Sequence, residues 1–252
     1  MAFVYSGLIG QKTGTVRYGE IQSMGMGAPI GADYNSVLVF NQNSSLYMVR
    51  KDSIEGGHIN EFRKYGDNNQ QYRQSYITNP KGFLYRNDNK NKMFYSRDIG
   101  FNYVKEDLPK MEWKLNKETK NIGKFNCKKA TCSFRGRNYT AWYTLEVPLP
   151  YGPWKLQGLP GVILEAYDEK KEIYWYFKSL SYPSNDAKYL KPFKPESGTW
   201  MDLPAYKENL KKNFRRSIVN SRMSAESVNI PLIELQRSML NSYVEGFSFE
   251  NE

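Results

Sequence analysis

Arg137-Asn138-Tyr139-Thr140-Ala141-Trp142-Tyr143-Thr144-Leu145-Glu146-Val147 alternates through its whole length. Period-two alternation is the signature of a half-buried strand. It sets Tyr139, Ala141, Tyr143, Leu145 and Val147 on one face, and Asn138, Thr140, Trp142, Thr144 and Glu146 on the other. Downstream, residues 161–167 and 172–180 read as a strand pair joined by the turn Asp168-Glu169-Lys170-Lys171. Upstream, residues 15–20 form a strand. Residues 36–40 and 45–50 then make a hairpin around Asn41-Gln42-Asn43-Ser44. Short strands follow at 83–85, 92–95 and 101–105, with another at 111–115 that carries Trp113. Turn residues separate them at roughly ten-residue intervals, the rhythm of an antiparallel meander. The polar stretch 51–74, centred on Asp67-Asn68-Asn69-Gln70-Gln71, predicts a long mobile connection.

The fold expected is mainly β (α+β): a curved antiparallel sheet or half-barrel with C-terminal helices. Residues 1–182 supply the β-rich part, and 183–252 a loop and two helices docked on the same core. Asp202 can cap a helix over 203–219, Pro204 suits its first turn, and Tyr206, Leu210, Phe214 and Ile218 share one face. Residues 232–243 read as the second helix, with Leu232, Leu235, Met239 and Tyr243 in a stripe. At 252 residues the chain can bury a full core without staples. Its 20 Tyr, 13 Phe and 5 Trp suit pleated, half-buried surfaces. No apolar run approaches the roughly 20 residues of a membrane-spanning helix.

The formal net charge is +10, from 36 basic and 26 acidic residues. Between Pro80 and Thr140 there are 15 Lys/Arg and 6 Asp/Glu, so +9 falls there. Such a surface attracts anionic partners, or is simply a solvated lysine face. No cluster has a nucleic-acid-binding layout, and no nucleic-acid partner is expected. Cys127 and Cys132 do not have zinc spacing. If they lie on one strand, their odd offset places them on opposite faces, and a disulfide would need a bulge between them; two free buried thiols are favoured over a bridge. His58 is the single histidine and sits in a polar loop, which argues against nucleophile–base catalysis and histidine-rich metal sites. The adjacent carboxylates Glu106-Asp107 and Asp168-Glu169 read as solvated turns. Gly25, Gly27 and Gly31 lack the lysine of a phosphate-binding loop. No catalytic residue, metal or cofactor is expected.

The dense stretch runs from Trp113 to Tyr167. Phe134-Arg135-Gly136-Arg137 puts two arginines about a glycine. They can clamp a carboxylate or phosphate, or stack on aromatics and bond a buried carboxylate such as Glu146. Two Gly/Pro turns, Tyr151-Gly152-Pro153-Trp154 and Gly158-Leu159-Pro160-Gly161, bracket a pre-shaped loop. Arg135, Arg137, Trp142, Trp154 and Lys155 are the candidate ligand-binding residues, with Tyr and Trp lining a concave groove and the 151–163 loop at its rim. Cys127, Gly136, Gly158, Pro160 and Gly161 are the candidate structural positions.

Cys127-Lys-Lys-Ala-Thr, then Phe134-Arg-Gly-Arg-Asn-Tyr-Thr-Ala-Trp-Tyr143, then Gly152-Pro-Trp-Lys-Leu-Gln-Gly-Leu-Pro-Gly-Val-Ile-Leu164, resemble the GLPGLI family of Bacteroidota. The name-giving hexapeptide reads Gly158-Leu-Pro-Gly-Val-Ile163 here, with Val162 in place of the usual leucine. The resemblance implies an exported protein of the periplasm or cell envelope, so the chain is read as a mature form behind an added methionine. It implies no catalytic residues. The expected role is a non-enzymatic binding or accessory protein for a peptide, a lipid or an outer-membrane partner. An envelope hydrolase and a structural subunit of an outer-membrane assembly are the alternatives.

Overall fold

The computed structural model describes residues 12–23, 28–55, 60–65, 70–75, 82–88, 90–97, 102–195 and 199–225. In chain order these form β1 (Gly14–Gln22), β2 (Ala32–Phe40), β3 (Ser45–Val49), α1 (Asp52–Glu55), β4 (Asn60–Tyr65), β5 (Gln70–Ser75), β6 (Phe83–Asn87), β7 (Lys92–Arg97) and β8 (Asn102–Asp107). There follow β9 (Lys114–Ile122), β10 (Phe125–Phe134), β11 (Arg137–Thr144), β12 (Val162–Asp168), β13 (Ile173–Ser181), β14 (Met201–Asp202) and α2 (Leu203–Ala225). Twelve strands make one open sheet, ordered β14-β8-β7-β6-β3-β2-β1-β13-β12-β11-β10-β9. Every pairing in it is antiparallel except β14 with β8.

The expected sheet is thus present, with few helices. The connection predicted over 51–74 contains α1 and a separate antiparallel hairpin, β4–β5, in which Tyr65 pairs with Gln70. Its strand pairing draws on backbone groups that polar residues carry as well as apolar ones. The strand expected at 111–115 instead starts at Lys114 and runs to Ile122. The second predicted helix, 232–243, and His58 lie outside the described residues.

The 137–147 alternation holds for its first half. β11 stops at Thr144, and Leu145 turns outward at 46% exposure. Pairing with β12 slips between Trp142 and Tyr143, so Trp142 is buried although it opposes the core positions in the alternation. Such a slip adds twist and bends the strand. Along β10 the buried positions are Phe125 and Cys127, then Ala130 and Cys132, and the phase changes where pairing with β9 slips between Lys128 and Ala130. Both cysteines are free and lie in the main core, so the slip between them overturns the expectation that they face opposite ways.

The sheet curls strongly. β8 is second and β11 tenth in the strand order, which in a flat sheet would separate them by about 40 Å at ~4.8 Å per strand. Yet Arg135, in the β10–β11 turn, reaches Glu106 on β8 at 2.5 Å. The concave side is filled by the segment between β11 and β12: Tyr151, Trp154, Lys155, Leu156 and Leu159 are all at most 4% exposed. This segment, expected at a rim, is the centre of the core. Tyr18 donates to the Ile163 carbonyl at 2.5 Å, Asn87 to the Gln157 side chain at 2.7 Å, and Trp113 to the Gln157 carbonyl at 2.7 Å. Gly161 is needed because a Cβ there would lie 2.0 Å from the Thr144 carbonyl oxygen. Helix α2 starts as its sequence predicts, with the Asp202 carboxylate accepting from Ala205 N–H at 2.8 Å and Tyr206 and Leu210 buried.

Candidate functional site

Arg135 and Gly136 form the two-residue β10–β11 turn, both at positive φ (50° and 75°). That primed geometry matches the twist of a hairpin. It aims the flanking arginines at carboxylates far along the chain. Arg135 donates to Glu106. Arg137 donates to Asp168 at 2.7 Å and to Glu172 at 2.8 Å. Burial opposes the charge on Arg137, but the hydrogen bonds to Glu172 and Asp168 outweigh it and hold the guanidinium above its ordinary range. The arginines therefore meet buried carboxylates of the chain itself. Glu146, the partner anticipated from sequence, instead accepts from Asn126 N–H at 3.4 Å.

Lys155 is the least expected member of the group. Its side chain is fully buried, it donates to Glu106 at 2.6 Å, and its ammonium sits 3.8 Å from the centroid of the Tyr95 ring. Glu106 thus receives Lys155 on one oxygen and Arg135 on the other. Its neighbour Asp107 is exposed and pairs with Lys92. The two acids read as one solvated turn are a buried anchor and a surface charge, as alternate positions on β8 dictate. Trp154 stacks on Trp175 with centroids 6.0 Å apart, and Trp175 donates to the Tyr47 hydroxyl at 3.0 Å. Tyr47 in turn donates to the buried Glu20. Burial, then the Glu20 charge, pushes the Tyr47 phenol well above its ordinary range. Trp142 lies apart from this cluster, under Lys120 at 4.4 Å. Of the five predicted ligand residues, Arg135, Trp154 and Lys155 therefore gather around one core, while Arg137 and Trp142 lie elsewhere. Gly158 and Pro160 are exposed and Gly161 is buried.

An open cleft of about 660 Å³ lies against this cluster. Residues 105–109 and Arg135 form one wall, and residues 200–204 form the other. Trp200 is held edge-on by Phe94, Tyr103 and Phe193 at 5.0, 6.1 and 5.6 Å. Lys105 is exposed at the mouth. Strand β14 covers β8 only at Val104 and Lys105, so the main chain of Glu106 and Asp107 has no strand beside it on that side among the described residues. Sequence reasoning missed Glu106, Lys105 and Trp200. The alternation of Val104, Glu106 and Leu108 against Lys105 and Asp107 is the signal that could have placed Glu106 inside. Among the described residues, no three His, Cys, Asp or Glu side chains come together as a metal site.

Comparison with curated proteins finds no match. Two solved structures of PNGF-II, in the C2 and P21 crystal forms, superpose with a TM-score of 0.51 at 17% and 18% identity. They align over 78% and 80% of this chain but only 32% and 34% of their own. The chain spans about a third of the length of these structures, and the likeness is one of fold. Residues 134–165, which run from the arginine turn through the core-filling segment, match a Bacteroidota-associated family described as "Protein of unknown function (Porph_ging)".

Proposed function

We propose that this protein is a non-catalytic binding or accessory protein of the cell envelope, of the GLPGLI family, that holds an extended segment of a peptide or outer-membrane partner in the 105–109/200–204 cleft. The observation that carries this reading is the short end of β8, Glu106 and Asp107, which β14 leaves without a strand beside it among the described residues, in the cleft that Trp200 also lines. An incoming strand would find main-chain groups there, an aromatic wall, and the charges of Lys105 and Arg135. Among the described residues the concave side is occupied by the buried Tyr151, Trp154, Leu156 and Leu159, which favours a site outside it. Glu106 supports the cleft from behind, because its two cationic partners fix the direction of β8 and of the arginine turn.

The test is selection from a displayed random-peptide library, followed by calorimetry on the selected peptides. Binding should fall at least tenfold in Lys105→Glu with an unchanged melting temperature, and in Trp200→Ala, which gives up its contacts with Phe94, Tyr103 and Phe193 and should melt somewhat lower while staying folded. Selected peptides that bind both variants as well as the parent would overturn the assignment. So would a library that yields no binding peptide.

A further inference from the structure

We propose that the β9–β10 hairpin is a docking surface for an anionic lipid membrane. This goes beyond the cleft and is independent of it. The hairpin runs from Lys114 to Phe134 and carries Lys114, Lys117, Lys120, Lys124, Lys128 and Lys129 against the single acid Glu118. Its net +5 is half of the chain's +10. Lys120 is spent on Glu165 and Lys129 on Glu118, and both lie over the Trp142 ring. Lys114, Lys117, Lys124 and Lys128 are exposed and make no ion pair among the described residues.

Protection of a sheet edge explains lysines on β9, which is the last strand of the sheet. It does not explain Lys124 in the turn or Lys128 on β10, which already has a strand on both sides. The chemistry favours a lipid surface over nucleic acid. All six cations are lysines, compact point charges suited to a diffuse field, and none is the planar arginine fork that reads phosphate geometry.

The experiment is co-sedimentation with vesicles of phosphatidylcholine alone or mixed with phosphatidylglycerol. The parent is compared with a variant carrying Lys114→Gln, Lys117→Gln, Lys124→Gln and Lys128→Gln. A control carries the same charge change at the exposed Lys170, Lys188, Lys191 and Lys194. Each lysine near an anionic surface contributes roughly fivefold in partitioning, so the hairpin variant should lose on the order of several hundredfold while the control loses little. Binding should also weaken with added salt. The idea is overturned if the parent ignores phosphatidylglycerol vesicles, if both variants lose binding equally, or if duplex DNA captures the parent more strongly than the vesicles do. All the altered lysines are exposed, so matching thermal melts will confirm that the variants are folded.

Discussion

The pairing of Lys155 with Glu106 can be tested by a double-mutant cycle. The ammonium and the carboxylate are 2.6 Å apart, with side chains 0% and 3% exposed. Removing one member of a buried pair costs about 3–5 kcal/mol, because the other charge stays in a poorly solvating environment. Lys155→Met leaves Glu106 to Arg135 and belongs at the low end, about 3 kcal/mol. Glu106→Gln deprives two cations of the same carboxylate and should cost about 3–4 kcal/mol. In the combined Lys155→Met/Glu106→Gln protein the buried pair is gone and Arg135, 15% exposed beside the cleft, can reach water. The double variant should therefore lose no more than either single one, giving a coupling of about 3 kcal/mol. At about 2–4 °C per kcal/mol for a chain of this size, each single change lowers the melting temperature by about 10 °C, and the double change does the same rather than doubling it. Thermal melts followed by tryptophan fluorescence and circular dichroism supply the four corners. A double variant that melts at the sum of the two single shifts would refute the reasoning.

Gly161→Ala should destabilise by about 3 kcal/mol or more, since its Cβ meets the Thr144 carbonyl oxygen. Gly158→Ala, at φ +90° with only the Trp113 ring 3.9 Å away, should cost about 1 kcal/mol; urea melts separate the two. Burial pushes the Cys127 and Cys132 thiols up to about 12, so both should resist a thiol-reactive dye near neutral pH and react together once the chain unfolds. Burial also pushes the Tyr151 phenol up to about 12 from its ordinary 10.0. The unfolded chain then gives up that proton first, so stability present below pH 10 is lost as pH rises toward 12. Melting temperatures should fall across that window, and a flat profile would contradict the buried phenol.

Much of the sheet was legible because its buried strands obey simple patterns. The β2–β3 hairpin announces itself by Val37-Leu38-Val39-Phe40 and the Asn-rich turn, and β12–β13 by two apolar runs about a charged turn. Helix α2 follows from Asp202, Pro204 and the Tyr206/Leu210 stripe. β9 was hidden because an edge strand that buries only Ile122 needs no alternation. Lys155 was misplaced for a general reason: a lysine between two turns reads as solvent-facing, and the groups that make its burial tolerable, the Glu106 carboxylate 49 residues away and the Tyr95 ring among them, are distant in sequence. The partners of Arg135 and Arg137 are likewise 29, 31 and 35 residues distant. No local pattern encodes such meetings. They follow from the curl of the sheet, which is set by the pairing slips at Lys128/Ala130, Trp142/Tyr143 and Arg17/Tyr18.

The curl, filled by buried residues of the chain's own 147–161 segment, is the feature on which the proposed cleft depends. The most direct test is a pulsed electron-spin distance between labels on Lys105→Cys and Ser133→Cys, both at exposed positions. A sheet curled so that Arg135 touches Glu106 predicts a single narrow peak at about 20 Å once label arms and neighbouring residues are included. A broad distribution, or a peak near the roughly 40 Å of an uncurled sheet, would contradict it.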